Sequence, residues 1–318
     1  MGILESYSFI QANQARDGFS MHRLVHATTR AWVRKLEISV SSILQLSAFH
    51  AMASRFPGGD FENWNTCARY LPQAETILSG EPIEDSKELR QRRAAVLFRT
   101  GHYQSRRQEF DQARHKINRC LKIYREIGLA HSPDALRANT VLGCILHRFV
   151  DDWASAITLL QETLQRQEQL LGQDHPHTLE TISQLVDALV SYGSDVVNAE
   201  SMCRRLIAAR EQLHGPDHIL VVQAQISLGQ TLNGLGKYRE VEALFRAYAD
   251  HPALRQGRPN PETVSVYAAL ATVLADQEKH AEAQEFLRLA IAASVALFSE
   301  TSNFTLSLQV DLCDSLYR

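Results

Sequence analysis

Two short segments rich in Asp and His carry the side chains of this chain that are best suited to chemistry. Asp174, His175 and His177 stand together, and Asp217 and His218 follow forty-three residues further on. Imidazole and carboxylate groups are common metal ligands. Both segments come directly before strongly helical sequence, where a side-chain acceptor can cap the first backbone N–H groups of a helix. The sequence favours the capping role, so we expect no metal site and no bound cofactor.

Motifs for nucleophilic catalysis and for phosphate binding are missing from the sequence. There is no GxSxG turn to hold a nucleophilic serine. The only Gly-Lys pair, Gly236-Lys237, is followed by Tyr and does not complete a GxxxxGK[ST] phosphate loop. We therefore expect a binding protein and not an enzyme, and no binding of ATP or ADP by this chain.

The overall composition is typical of a chain that folds, and it lacks the basic character of nucleic-acid-binding proteins. Of its 318 residues, 45% are hydrophobic and 22% charged, the net charge is −3 and the pI is about 6.5. Nucleic-acid binding needs a clustered basic surface, and no stretch is long and apolar enough to span a membrane. The 5 cysteines are scattered and form no CxxC pair. This usage is typical of a reduced compartment, and we expect a cytoplasmic location.

An internal repeat organises most of the chain. Residues 171–176 (LGQDHP) recur as residues 214–219 (HGPDHI), and Leu185 then aligns with Leu228. The same spacing of forty-two to forty-three residues continues in both directions and gives about five copies. A repeat of this length is the signature of a stacked, solenoid-type fold.

Each copy is predicted to be a pair of helices. Apolar residues follow helical spacing in two blocks, and Gly234 stands between the two blocks of one copy. The second block ends near Gly172 or Gly215, and the next copy begins after a proline such as Pro176, as expected for helix ends and starts. Because one pair cannot bury its own apolar face, the pairs must stack, and residues 305–317 are predicted to form a last helix that covers the open end.

The connector at residues 171–179 and the aromatic-x-x-Ala turns resemble the tetratricopeptide repeats of kinesin light chains. The resemblance covers roughly residues 86–318. It implies an all-α, right-handed superhelical solenoid of about five helix pairs with a capping helix, in a domain of residues 81–318. In such repeats the first helix of each pair lines a concave face.

A second resemblance covers the first eighty residues. Residues 19–32 (FSMHRLVHATTRAW), 56–64 (FPGGDFENW) and 70–74 (YLPQA) look like the stretch that joins the nucleotide-binding NB-ARC domain to the repeats of fungal NOD-like receptors. The resemblance implies that residues 1–80 are a winged-helix remnant and helical linker. In that family a Met-His-Asp motif senses the nucleotide; here residues 21–23 read Met-His-Arg, so the third position departs from the pattern.

Some aromatic and basic residues could have either a ligand-binding or a structural role. Trp64 and Trp153 could stack on a ligand, but their positions favour a core residue and a turn plug. The arginines of residues 90–107 could form a patch for an acidic ligand, although charge clusters on helices are more often solvated faces.

The concave face is where we predict binding. With Leu228-Gly229 as the register, twelve residues of the first helices are expected to line it. They are Arg137, Thr140, His147, Glu180, Ser183, Asp187, Gln223, Ile226, Gln230, Asn233, Thr272 and Asp276.

The leading hypothesis is a scaffold that binds a protein or peptide in this groove, with the acidic end of the ligand toward Arg137 and Arg148. One alternative is a small-molecule-binding protein or an unusual enzyme that uses the groove as its pocket; a deep apolar pocket would favour it. Another is a regulatory fragment that acts in trans on a nucleotide-binding partner. Neither a nucleic acid nor a membrane is expected as a partner.

Overall fold

The computed structural model describes residues 10–12, 19–21, 23–33, 35, 38–80, 86–150, 152–216, 218–249 and 261–316. Within these ranges the chain forms fourteen α-helices and one two-stranded sheet. His22 of the Met-His-Arg segment, Asp217 and Tyr317 lie outside the described residues.

A hairpin and three helices precede the repeats. Strand β1 (Ile10–Ala12) pairs antiparallel with β2 (Phe19–Met21). The helices are α1 (Arg23–Val33), α2 (Ile38–Arg55) and α3 (Trp64–Ser79), and a 3-10 turn at Phe61–Asn63 leads into α3.

Five helix pairs and one further helix follow, as the repeat predicted. The pairs are α4 (Lys87–Arg106) with α5 (Phe110–Glu126), α6 (Pro133–Ile145) with α7 (Trp153–Leu171), α8 (Pro176–Tyr192) with α9 (Val196–His214), α10 (Ile219–Gly234) with α11 (Tyr238–Ala249), and α12 (Pro261–Asp276) with α13 (His280–Leu297). The last helix is α14 (Asn303–Leu316). The prediction of an all-α solenoid is confirmed.

Local sequence signals begin and end these helices. The His175 side chain accepts a hydrogen bond from the backbone N–H of His177, 3.2 Å away, and His218 does the same for Leu220. Both histidines are therefore N-caps, which satisfy N–H groups that have no partner inside the helix. At the other end of α8, Gly193 takes the left-handed conformation (φ 70°), which costs a glycine little.

Glycines let the two helices of a pair approach closely. A Cβ atom on Gly143 of α6 would lie 2.6 Å from Leu160 of α7, and one on Gly229 of α10 would lie 2.4 Å from the ring of Phe245 in α11. Both distances are far below van der Waals contact, so no larger residue fits without a shift of its neighbour. These two positions fix how the second and fourth pairs pack.

The hydrophobic core runs without a break from the N-terminal helices into the repeats. One cluster of buried residues extends from Phe49 in α2 to Ile145 in α6. Lys116 of α5, only 7% exposed, forms an ion pair with Glu75 of α3, and its Nζ donates to Gln104 Oε1 at 2.7 Å. The buried core therefore continues across the boundary near residue 80, and the division into two domains stays a prediction.

The two ends of the solenoid touch. Arg107 Nη1 donates to the carbonyl oxygen of Leu297 at 3.0 Å, and the Arg107 guanidinium lies 5.1 Å from the centre of the Trp64 ring. The Trp64 ring is in turn 5.9 Å from that of Phe298. We call these four residues the closure contact. It joins the segment before the first pair to the end of the fifth pair.

Helix α14 packs on the fifth pair. Its Thr305 and Leu308 are buried, and the Thr305 hydroxyl lies 2.8 Å from that of Ser294 in α13. The opposite face exposes Leu306 and Val310 and is thus partly apolar. Among the helices that the structure describes, none is long and apolar enough to cross a membrane.

Candidate functional site

The first helices of the pairs converge on a common surface. Arg137 and Cys144 of α6, and Arg148 in the π-helical turn Leu146–Val150 that extends it, lie within about 40° of one another around the helix axis, since successive residues of an α-helix turn by 100°. The charges of Arg148, Asp187, Arg106 and Glu180 all act on the Cys144 thiol, whose pKa is raised mainly by burial. The charges of three successive first helices therefore act on one thiol, so these groups lie on faces of α4, α6 and α8 that are near one another.

We call this surface the inner stripe. On α8 it continues with His177, Glu180, Gln184 and Asp187, which are all partly exposed. Burial, with help from Arg137, lowers the pKa of His177 to about 4. The positive charge of Arg137 on α6 thus acts on α8, where it disfavours the protonated form of His177.

The twelve residues predicted for the groove divide by exposure. Eight are partly or fully exposed: Arg137, Glu180, Asp187, Gln223, Gln230, Asn233, Thr272 and Asp276. Four are buried: Thr140, His147, Ser183 and Ile226.

Three of the buried residues share one position of the repeat. Thr140, Ser183 and Ile226 are spaced by forty-three residues, and each lies about 60° to one side of the inner stripe. The Thr140 hydroxyl is 2.7 Å from that of Thr181 in α8. This side of the helix therefore packs against the next pair and offers little surface to a ligand.

His147 is buried for a different reason. It belongs to a π-helical turn, Leu146–Val150, which extends α6. Its carbonyl oxygen accepts a hydrogen bond from Trp153 Nε1 at 3.0 Å, and burial, together with the charge of Arg148, lowers the pKa of its imidazole to about 3. His147 and Trp153 thus close the turn of the second pair, as the sequence predicted for Trp153.

Charge is divided along the inner stripe. Its first part, on α4 and α6, is basic through Arg106, Arg137 and Arg148, whereas α8 contributes Glu180 and Asp187. Burial raises the pKa of Asp187, although Arg148 and a 3.0 Å hydrogen bond from Ser227 Oγ oppose this shift.

Further along, α10 presents the amides of Gln223 and Gln230. Asn233 Nδ2 donates to Asp276 Oδ2 at 3.0 Å, which links the first helices of the fourth and fifth pairs. The surface thus changes from basic through acidic to amide-rich.

Arg137 of α6 and Arg148 of the turn that extends it form no ion pair among the described residues. Arg137 lies over the ring of Phe98, 4.8 Å from its centre, and its Nε is buried without a hydrogen-bond partner in the part of the chain that the structure describes. Arg148 is exposed, and within the described ranges it forms no ion pair. Both guanidinium groups can therefore receive an anionic ligand.

His102 is not among the residues predicted from the sequence for the groove, and Arg106 is predicted only as part of the arginine-rich stretch of residues 90–107. His102 and Arg106 of α4 stand forty-two residues before Cys144 and Arg148, so the repeat spacing could have found them. Burial, with Arg106 and Arg137, lowers the pKa of His102 to about 4. The arginine-rich α4 is not a single patch, because Arg93 donates to the Leu78 carbonyl at 2.9 Å. Trp64, predicted to be a core residue, is 7% exposed and donates to the Gly59 carbonyl.

Parts of this chain are similar in sequence to known proteins. A family model for the tetratricopeptide repeat matches residues 141–177 and 263–302. A nucleotide-binding leucine-rich repeat (NLR)-like protein of Hyaloscypha variabilis is 30% identical over 140 residues. That match covers 43% of this chain but only 13% of the relative, so the chain spans a small part of that protein.

Two solved structures are similar to this chain, and the first has the same kind of fold. The crystal structure of NprR in complex with its cognate peptide NprX has a TM-score of 0.64 at 10% identity, and the match covers 92% of this chain and 79% of NprR. A putative kinesin light chain with TPR-like repeats from Podosopora anserina has a TM-score of 0.48 at 18% identity, with 64% of this chain and 95% of that chain covered. The NprR match thus supports a helical-repeat fold over most of this chain, and the family model identifies residues 141–177 and 263–302 as similar to the tetratricopeptide repeat.

Proposed function

We propose that the solenoid is a scaffold that binds an extended protein or peptide segment along the inner stripe, with acidic residues of the ligand against Arg137 and Arg148. The observation that carries this proposal is that Arg137 of α6 and Arg148 of the turn that extends it lie on one side of the helix axis and that neither forms an ion pair within the described residues. Guanidinium groups bind carboxylates through paired hydrogen bonds, which fixes the orientation of the ligand.

The spacing of the two arginines indicates the length of the ligand motif. Arg137 and Arg148 are eleven residues apart, which corresponds to roughly 16 Å along the helix axis. An extended chain rises by about 3.3 Å per residue. A ligand that follows α6 would therefore contact the two arginines with acidic residues about five positions apart.

The rest of the stripe suits a peptide better than an apolar small molecule. Glu180 and Asp187 can accept hydrogen bonds from ligand N–H or basic groups, and the amides of Gln223 and Gln230 can pair with a peptide backbone. Small-molecule pockets are mostly apolar with few polar groups, and the inner stripe is the reverse. The ligand would run with its acidic part on α6 and its neutral or basic part toward α10.

Two likenesses agree with this proposal. NprR, whose fold is similar over most of this chain, was crystallised with a peptide. The relative from Hyaloscypha variabilis is named as an NLR-like protein. We infer that residues 81–318 are the ligand-recognition part and that residues 1–80 connect it to other functions.

The test is selection of peptides from a random twelve-residue library on the immobilised chain, followed by affinity measurements on the selected peptides. We expect enrichment of Asp and Glu. In the double variant Arg137→Glu, Arg148→Glu, each reversed charge should cost about 1–2 kcal/mol, so the affinity should fall by at least tenfold.

Arg288→Glu is the matched control, since Arg288 is an exposed arginine on α13, a second helix of its pair. It should leave the affinity unchanged apart from a small long-range effect. The proposal would be refuted if the selected peptides were not enriched in Asp and Glu, or if Arg288→Glu lowered the affinity as much as the double variant does.

A further inference from the structure

A second concave site lies on the other side of α6. A cavity of about 320 Å³ opens between α5, α6 and α7. Asn139 and Leu142, its lining residues on α6, lie about 200° and 140° around the helix axis from Arg137. The cavity therefore faces away from the inner stripe, and we call it the outer pocket.

The outer pocket combines an apolar floor with a basic rim. Leu121, Leu142 and Leu159 form the floor. The other lining residues are Asn118, Arg125, Ala130, His131, Asn139, Glu162, Thr163 and Arg166.

The rim therefore carries two guanidinium groups and an imidazole against a single carboxylate. Arg125 Nε donates to the Leu121 carbonyl at 3.4 Å, and neither Arg125 nor Arg166 forms an ion pair within the described residues. Glu162 stands four residues before Arg166 on α7, and the two are not paired either.

A buried polar group at this pocket is left without a partner. Thr163 is 1% exposed, and its hydroxyl makes no hydrogen bond within the described residues. One turn further on, Gln167 Oε1 accepts a hydrogen bond from Thr181 at 2.6 Å, but Gln167 Nε2 is unpaired in the same part of the structure. Buried polar groups normally have partners, so an orphaned one beside a cavity is a sign of a missing ligand.

We propose that the outer pocket binds a small molecule that joins an apolar body to a carboxylate or phosphate group. Its volume is at the small end of the range for ligand pockets, about 300–1,000 Å³. The leucine floor takes the apolar body, and Arg125 and Arg166 hold the anionic group, since a guanidinium matches both carboxylate and phosphate geometry. The Thr163 hydroxyl supplies a further hydrogen bond at the base of the pocket.

The experiment titrates the full chain with three probes: 4-phenylbutyrate, phenyl phosphate and the uncharged 4-phenyl-1-butanol. Binding is followed through the methyl NMR signals of Leu121, Leu142 and Leu159. We expect at least one of the two anions to shift these signals, and the alcohol to bind at least tenfold more weakly because it lacks the charge. The anion that binds more tightly identifies the head group.

Variants locate the site. Arg125→Gln and Arg166→Gln should each weaken the anion by about tenfold, whereas Arg288→Gln on α13 should not. Thr163→Val keeps the side-chain shape, so it should preserve or raise the melting temperature while it weakens the anion. Equal binding of the alcohol, no shift of the three leucine signals, or equal effects of the three arginine variants would overturn the proposal.

Discussion

Replacement of Gly229 by alanine tests the packing that sets the geometry of the fourth pair. A Cβ atom at this position would lie 2.4 Å from Cζ of Phe245 and 2.9 Å from two further ring atoms. Gly234, in the same helix, is the matched control. A Cβ atom there would have Val196 Cγ1 as its nearest neighbour at 3.7 Å, an ordinary contact.

The two changes should have opposite signs. Phe245 is completely buried, so its ring cannot swing into solvent and must retreat by about 1 Å. Overpacking of this kind lowers the free energy of unfolding by about 1–3 kcal/mol, whereas the change from Gly to Ala inside a helix raises it by about 1 kcal/mol. We expect Gly229→Ala to lower the free energy of unfolding by up to about 2 kcal/mol and Gly234→Ala to raise it by up to about 1 kcal/mol.

Urea unfolding followed by circular dichroism measures both changes. Because stacked repeats can unfold separately, hydrogen exchange of the α10 amides should accompany it. Adding Phe245→Leu to Gly229→Ala should cost less than the sum of the two single changes, since the smaller side chain relieves the clash. If Gly229→Ala is as stable as Gly234→Ala, the close approach of α10 and α11 is wrong.

Three further predictions concern the ends of the solenoid, its histidines and nucleotides. Arg107→Ala removes the hydrogen bond to the Leu297 carbonyl and the contact with the Trp64 ring, so X-ray scattering should show a larger radius of gyration; an unchanged radius would mean that the closure contact does not hold the ends together. His147 should remain neutral down to about pH 4, because burial holds its pKa near 3. The unfolded imidazole takes up its proton near pH 6.5, so the contribution of neutral His147 to the stability of the folded chain is fully present above that pH and is lost as the pH falls toward 3. An NMR titration in which His147 of the folded chain is protonated near pH 6.5 would contradict this. Calorimetry should detect no binding of ATP or ADP, since the sequence has no phosphate loop, and stoichiometric micromolar binding would refute that expectation.

The helix pairs were predictable because their signals are local. Proline at the first turn of α8 and glycine at its end mark the helix, and the forty-three-residue spacing repeats the pattern. The same spacing predicts which residues share a position, so exposed inner-stripe residues such as Arg137 and Glu180 could be named in advance. For these features, the sequence of a single repeat is enough to predict the structure.

What the sequence did not reveal depends on how one pair sits on the next. Thr140 is buried because the neighbouring α8 brings Thr181 to within 2.7 Å of it, and this depends on the angle between pairs. The closure contact between Arg107 and Leu297 spans 190 residues and results from small rotations added over five pairs. Neither feature leaves a periodic trace in the sequence.

A charge-swap experiment tests the central claim, peptide binding along the inner stripe, most directly. A selected acidic peptide and a version with its two acidic residues changed to lysine are each measured against the native chain and against the Arg137→Glu, Arg148→Glu variant. We predict that the native chain prefers the acidic peptide and the variant prefers the lysine peptide, with affinity for the acidic peptide that falls as salt is raised. The account would be contradicted if the two peptides bound the native chain with equal affinity, or if the variant bound the lysine peptide no more tightly than the native chain does.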